Sequence, residues 1–185
     1  MTRVLGLVGS PREHGNTHLL VSALLEGARV AGAQTEAVLL RSLTIRDCDG
    51  CHLCWEQGRC SKADDMLGLY PRLAASDVIV FGTPVYWYGP TALIKACLDR
   101  FVYFNCPEHR PQIRGKSAAL VVPFEEASPE TAAPLVAMFE KSLSYLEMHL
   151  VATLLVAGVT RRGEVRERPE QLARAAQIGK RLVRG

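Results

Sequence analysis

Short apolar runs alternate with helical patterns along almost the whole chain, and this alternation restricts the fold more than any other feature. Arg3–Gly9, Gln34–Leu40, Asp77–Gly82, Lys116–Pro123 and His149–Gly158 read as strands. Between and after them, Asn16–Val30, Asp64–Ala75, Pro90–Phe104, Pro129–Met148 and Pro169–Val183 read as helices. In the first helix Leu20, Ala23, Leu24 and Ala28 share one face, the spacing of an amphipathic helix. Asp64 or Asp65 places negative charge at a helix start, and Pro169 occupies a first turn, where proline is tolerated. The strand runs are continuous rather than alternating, as Val78-Ile79-Val80-Phe81 shows, which suits a sheet covered by helices on both faces. Right-handed crossovers then predict an α/β, three-layer, doubly wound parallel sheet.

Five strands suit the flavodoxin-like order 2-1-3-4-5 better than a six-stranded dinucleotide fold. No repeat, low-complexity segment or linker breaks the pattern, so residues 1–185 are expected to form a single domain with a cysteine-rich loop at about 41–63. A length of 185 residues buries a core without disulfide staples. A net charge of +3 is too small to point to nucleic acid, and no nucleic-acid partner is expected. Val4–Gly9 is too short for a signal-peptide core, and the apolar stretch Val151–Val159 is about half of the ~20 residues a membrane helix needs. The expected location is therefore cytoplasmic, with no membrane partner and with reduced thiols.

In a doubly wound sheet, ligands bind beyond the carboxyl ends of the strands, and two loops fall there. The first runs Gly9-Ser10-Pro11-Arg12-Glu13-His14-Gly15-Asn16-Thr17 into the first helix. A helix N-terminus offers free N–H groups and partial positive charge, which suits phosphate. Ser10, Asn16 and Thr17 add hydroxyl and amide donors, Arg12 adds charge, and Gly15 permits a close backbone approach. It is not a P-loop: five residues separate Gly9 from Gly15 instead of four, and Asn16 stands where lysine belongs. The bland alternative is a polar turn capped by Asn16 or Thr17. The second loop, Phe81 to Pro90, carries Tyr86-Trp87-Tyr88 and lies beside the first in the 2-1-3 order. Its rings suit stacking on a flat aromatic ligand while backbone groups read the ligand's edge; the competing reading is that some rings plug the core. A phosphate site beside a stacking site describes a mononucleotide pocket.

At these loops the chain resembles the flavodoxin-like NADPH-dependent FMN reductases. The resemblance lies in Gly9-Ser10-Pro11-Arg12 with Gly15-Asn16-Thr17, and in Thr83-Pro84-Val85-Tyr86-Trp87 followed by Lys95 and Asp99-Arg100. Cys51-His52-Leu53-Cys54, Gly58-Arg59-Cys60 and Asp64-Asp65-Met66 are similar to the iron–sulfur flavoprotein branch. The likeness covers about residues 3–125. It implies FMN at the carboxyl edge of the sheet, with Ser10, Arg12, Asn16 and Thr17 on the phosphate. Pro84, Val85, Tyr86 and Trp87 would line the isoalloxazine. A third contact is implied near Pro123-Phe124-Glu125, which lacks the Thr/Ser-Gly-Gly type of loop common in relatives. The implied activity is hydride transfer from NAD(P)H to FMN and on to an acceptor such as a flavin, a quinone or another small molecule. The alternative is an electron carrier with FMN and a [4Fe–4S] cluster, served by a ferredoxin-like partner; a flavin-binding sensor without turnover is a third reading. The flavin carries the chemistry, so no catalytic side chain is expected. Family habit implies a homodimer or homotetramer.

Four of the six cysteines follow the spacing Cys48-x2-Cys51-x2-Cys54-x5-Cys60. Such tight repeats let a loop wrap a compact inorganic core, as in ferredoxin-type sites. The pattern resembles the motif that binds [4Fe–4S] in iron–sulfur flavoproteins, while zinc and no metal at all stay open as alternatives. Cys97 reads as core, Cys106 as an incidental loop thiol, and His14 and His52 as solvated. Residues 161–185 hold eight basic and three acidic side chains, an excess that suits a pyridine-nucleotide phosphate or another polyanion but is read in preference as the solvated outer face of a last helix.

Overall fold

The computed structural model describes residues 1–184. Strands β1 (Arg3–Val8), β2 (Gln34–Leu39), β3 (Val78–Gly82), β4 (Ser117–Pro123) and β5 (His149–Val156) form one parallel sheet in the order β2-β1-β3-β4-β5. The predicted topology is the observed one. Helices α1 (Asn16–Val30), α2 (Leu53–Glu56), α3 (Met66–Ala75), α4 (Ala92–Asp99), α5 (Val102–Asn105), α6 (Ala133–Tyr145) and α7 (Pro169–Arg184) connect and cover it. No described helix is long and apolar enough to cross a membrane.

The period of two along each strand splits the core into two layers. Leu5, Leu7, Ile79, Phe81, Leu120 and Val122 point to one face, where Leu69, Leu73, Leu98, Phe139 and Leu143 of α3, α4 and α6 cover them. Val4, Val8, Val78, Val80, Val121 and Leu154 point to the other, under Leu20, Leu24 and Ala28 of α1 and Ala175 and Ile178 of α7. Helices α1 and α7 cross closely because glycines face the contact. A Cβ on Gly27 would stand 2.0 Å from the carbonyl oxygen of Ala176, and one on Gly179 would stand 1.9 Å from that of Leu24.

The expected helix Pro90–Phe104 is divided. It runs as α4, turns at Arg100 and Phe101, and resumes as the single turn α5. At the break the Arg100 side chain turns into the protein and pairs with Asp64 (2.7 Å). The helix expected from Asp64 begins instead at Met66. Asp64 Oδ1 accepts the Met66 N–H (3.1 Å), while the Asp65 carboxylate accepts the N–H of Thr44 (2.7 Å). The first turn of the expected Pro129–Met148 helix is a 3-10 turn, Pro129–Ala132.

Candidate functional site

The phosphate-loop residues are held from three directions. Thr91, buried at the N-cap of α4, donates its hydroxyl to the carbonyl of Gly9 and accepts the Ile94 N–H at 3.4 Å. The buried Thr83 hydroxyl accepts the Thr91 N–H at 3.1 Å, so the loop after β3 is tied to the loop after β1. Ser10 is buried, and its Oγ accepts the Arg12 N–H at 3.2 Å, curling the loop back on itself. Gly15, not Asn16 or Thr17, is the N-cap of α1, and no side chain caps the helix there. The N–H groups of its first turn therefore lack helical acceptors and remain available to an anion.

A cavity of about 130 Å³ opens at this edge of the sheet. Ser10, Arg12, Asn16 and Thr17 line one side, Pro84, Val85 and Tyr86 a second, and Pro123, Phe124 and Glu125 a third. Seven of the nine cofactor residues expected from the sequence thus meet in one place, with the segment after β4 beside them. Gly15 is not in the wall; it sets the start of α1 behind it. Trp87 is not in the wall either: it is 97% exposed at the tip of the second loop. Tyr86 and Gly89 exchange backbone hydrogen bonds (2.8 and 3.0 Å), so Trp87 and Tyr88 form a two-residue turn, with φ of 49° and 62°. Both residues occupy the left-handed region that such turns ordinarily fill with Asn-Gly. Neither ring plugs the core.

A fourth wall was not expected from the sequence. Val159, Thr160 and Arg162, from the loop after β5, also line the cavity. Arg12 Nη1 donates to the Thr160 carbonyl (3.1 Å), and Arg162 Nε donates to the Glu13 carbonyl (2.7 Å). Asn16 spends both ends of its amide there, donating to the Arg161 carbonyl (3.0 Å) and accepting the Val165 N–H (3.1 Å). The basic stretch read as the outer face of a last helix therefore begins as a strap over the phosphate loop. Only an excess of arginines after β5 hinted at this. His14 and His18 stack beside the same loop, and burial, with His14 nearby, lowers the pKa of His18.

The cysteine loop builds a second cavity, of about 30 Å³, lined by Cys48, Cys51, Cys54 and Cys60 together with Tyr70, Arg100 and Tyr103. It shares no lining residue with the first. Cys51 Sγ and Ser61 Oγ share a hydrogen bond at 3.1 Å, and Arg100 Nη2 donates to Cys60 Sγ at 3.1 Å. His109, stacked on Tyr103 (3.9 Å), meets the Gly58 carbonyl through Nε2 at 2.7 Å and pins the far end of the loop. Burial raises the Cys54 pKa, and the nearby thiols Cys106, Cys60 and Cys48 add to the rise. Cys106, expected as an incidental loop thiol, is buried beside this group, its thiol bonded to the Tyr103 carbonyl at 3.0 Å. Cys97 is core as expected; burial pushes its pKa up to about 12, so it stays a thiol. Among the described residues, no three His, Cys, Asp or Glu side chains are already gathered as an ion site.

Comparison with known proteins agrees with this picture. The family model described as NADPH-dependent FMN reductase matches residues 2–160. An iron-sulfur flavoprotein of Archaeoglobus fulgidus is 31% identical over 98% of this chain and 79% of its own length. An iron-sulfur flavoprotein of Methanocaldococcus jannaschii, MJ1083, is 38% identical over 53% of this chain and 51% of its own length, so the chain aligns with only about half of that relative. Among solved structures, an NAD(P)H:quinone oxidoreductase from Methanothermobacter marburgensis superimposes with a TM-score of 0.73 at 18% identity, covering 98% of each chain, a likeness of fold.

Proposed function

The chain belongs to the NADPH-dependent FMN reductase family, in its iron–sulfur flavoprotein branch, and from that premise we propose how its two cavities divide the work. The protein is an NAD(P)H-dependent flavin oxidoreductase using FMN. In our reading the four-walled cavity holds the FMN, takes a hydride from NAD(P)H and passes electrons to a small acceptor, a flavin or a quinone. The observation that carries this is the meeting of the phosphate loop and the aromatic loop in one cavity at the carboxyl edge of the sheet.

Bound FMN supplies hydride acceptance and onward electron delivery; the protein supplies binding, orientation and electrostatics. The open N-terminus of α1 and the Arg12 guanidinium would receive the phosphate. Arg162 adds a second cation from the strap. Pro84, Val85 and Tyr86 would line the isoalloxazine ring. Trp87 and Tyr88, held outward in the turn beyond Tyr86, would meet the nicotinamide when FMN is bound. Co-purification or titration with FMN tests the reading directly: apo protein that fails to bind FMN overturns it.

The second cavity favours the addition of an electron-transfer centre. Four thiols of compact spacing face one small space, a donor set whose chemistry fits [4Fe–4S], which would supply one-electron exchange there. Cys48, Cys51, Cys54 and Cys60 would hold it. A ferredoxin-like protein is then a fitting partner. An anaerobic absorption spectrum with iron and sulfide analysis separates flavin alone from flavin plus cluster. Absence of iron and sulfide after anaerobic reconstitution removes the second centre and leaves the first reading standing.

A further inference from the structure

Arg100 is the largest side chain in the fully buried interior, and a charge in that position needs a reason. Its side chain and that of Asp64 are each 1% exposed. Nη1 donates to Asp64 Oδ2 at 2.7 Å and to the Arg46 carbonyl at 2.9 Å. Nη2 donates to Asp64 Oδ1 at 3.2 Å and to Cys60 Sγ at 3.1 Å. Nε finds no partner. A buried ion pair is a poor stabiliser, because desolvation offsets most of the attraction, and an apolar pair of similar volume often does as well. Stability alone therefore does not explain why this arginine is here.

The carboxylate is shared more widely than the guanidinium needs. Asp64 also accepts the backbone N–H groups of Arg46 (3.0 Å) and Met66 (3.1 Å). Part of its negative charge is thus answered by the backbone, and of this pair Arg100, not Asp64, lines the cysteine cavity. Arg100 is the C-cap of α4, so the turn that ends the helix places it there.

We propose that Arg100 is a positioning and charge-compensating residue for an electron-transfer centre held by Cys48, Cys51, Cys54 and Cys60. It fixes the Cys60 sulfur by a hydrogen bond and raises the centre's reduction potential. The inference rests on the iron–sulfur reading above. The step concerned is a one-electron reduction: an external donor gives up one electron, the centre gains one negative charge, and no bond forms or breaks. A fixed cation and an N–H donor at a ligand sulfur stabilise the reduced form more than the oxidised one. Lysine in the same place keeps the charge but lacks the planar fork that reaches Asp64 and Cys60 together.

The test uses full-length protein reconstituted anaerobically with iron and sulfide, in wild-type form, as Arg100→Lys, and as the charge-neutral double variant Asp64→Asn/Arg100→Gln. The double variant avoids leaving a lone buried carboxylate. Iron and sulfide content, the midpoint potential of the centre and FMN affinity are measured for each. The expected result is a lower midpoint in the double variant, by about tenfold in the redox equilibrium, or ~59 mV for one electron, with FMN affinity unchanged. Arg100→Lys should fall between the two, and loss of its iron at unchanged FMN affinity would support the positioning role. Equal midpoints in all iron-containing proteins overturn the role of Arg100 and leave the cluster intact. A wild-type chain that takes up neither iron nor sulfide overturns both.

Discussion

Asn16 Oδ1 accepts the backbone N–H of Val165 at 3.1 Å, joining points 149 residues apart. The same amide donates to the Arg161 carbonyl at 3.0 Å, so one side chain clasps both sides of the strap after β5. The phosphate-binding role expected for Asn16 is then indirect: it holds the loop that carries Thr160 and Arg162 against the cavity. Asn16→Ala removes two hydrogen bonds and should cost about 1–3 kcal/mol in urea-induced unfolding. FMN affinity, read by flavin fluorescence quenching, should fall as well. Asn16→Asp keeps an acceptor for Val165 but loses the donor and brings negative charge to the phosphate. It should therefore bind FMN worse than the alanine variant while unfolding less easily. Equal FMN affinity in all three proteins would show that the latch does not shape the site.

Arg12 and Arg162 enter the same cavity from opposite ends of the chain. If both face the phosphate, each should matter for FMN and little for riboflavin, which lacks that group. A hydrogen bond to a charged group is worth about 1.5–3 kcal/mol, so either alanine variant should weaken FMN roughly ten- to a hundredfold. Arg12 also holds Thr160 and Arg162 also holds Glu13, so the double variant should show coupling rather than simple additivity. Equal losses for FMN and riboflavin would assign these arginines to loop structure instead.

The sheet was legible because its strands and helices repeat a local period, and period survives in a single sequence. Helix α1 follows the expected bounds of Asn16–Val30, since an apolar face and an open polar loop mark it on both sides. Two walls of the cavity were legible for a related reason, being contiguous loops at strand ends, and the third, after β4, through the family resemblance alone. The strap was not. Arg162 lies close to Glu13 only through the closeness of β5 and α7 to α1, and no local signal encodes a contact over 149 residues. Arg100 was hidden differently. Its place in an apolar helical pattern suggested a continuous helix, whereas its ion-pair partner, Asp64, lies 36 residues away.

Trp87 and Tyr88 both sit at positive φ, where a side chain costs on the order of 1–3 kcal/mol. Their replacement by Asn and Gly suits the turn and should raise the urea midpoint. If the exposed rings screen the flavin and meet the nicotinamide, the same double substitution should lower the rate of NAD(P)H oxidation while leaving FMN bound. A more stable protein with undiminished turnover would leave the rings without a role in hydride transfer. A less stable one would mean that packing on neighbouring groups outweighs the backbone strain.

Asp64 gives the fold a defined response to acid. Burial by itself would raise its pKa, but the Arg100 hydrogen bond, the Arg46 N–H, the Arg100 charge and the Met66 N–H together hold it below the ordinary carboxylate range. Its pKa is therefore lower folded than unfolded, and between the two values the unfolded chain binds the extra proton. The contribution is complete above the unfolded value of about 4 and is lost as pH falls through the folded one. Urea midpoints of the wild type should hold steady from neutral pH to about 5 and then drop below about 4. Asp64→Asn leaves Arg100 buried without its counter-charge and should cost roughly 3–5 kcal/mol at neutral pH. Its stability should then decline less steeply in acid, because the group that took up the proton is gone. Parallel acid slopes in the two proteins would place the titrating group elsewhere, among the exposed carboxylates paired with arginine, such as Glu147 with Arg114 and Arg110.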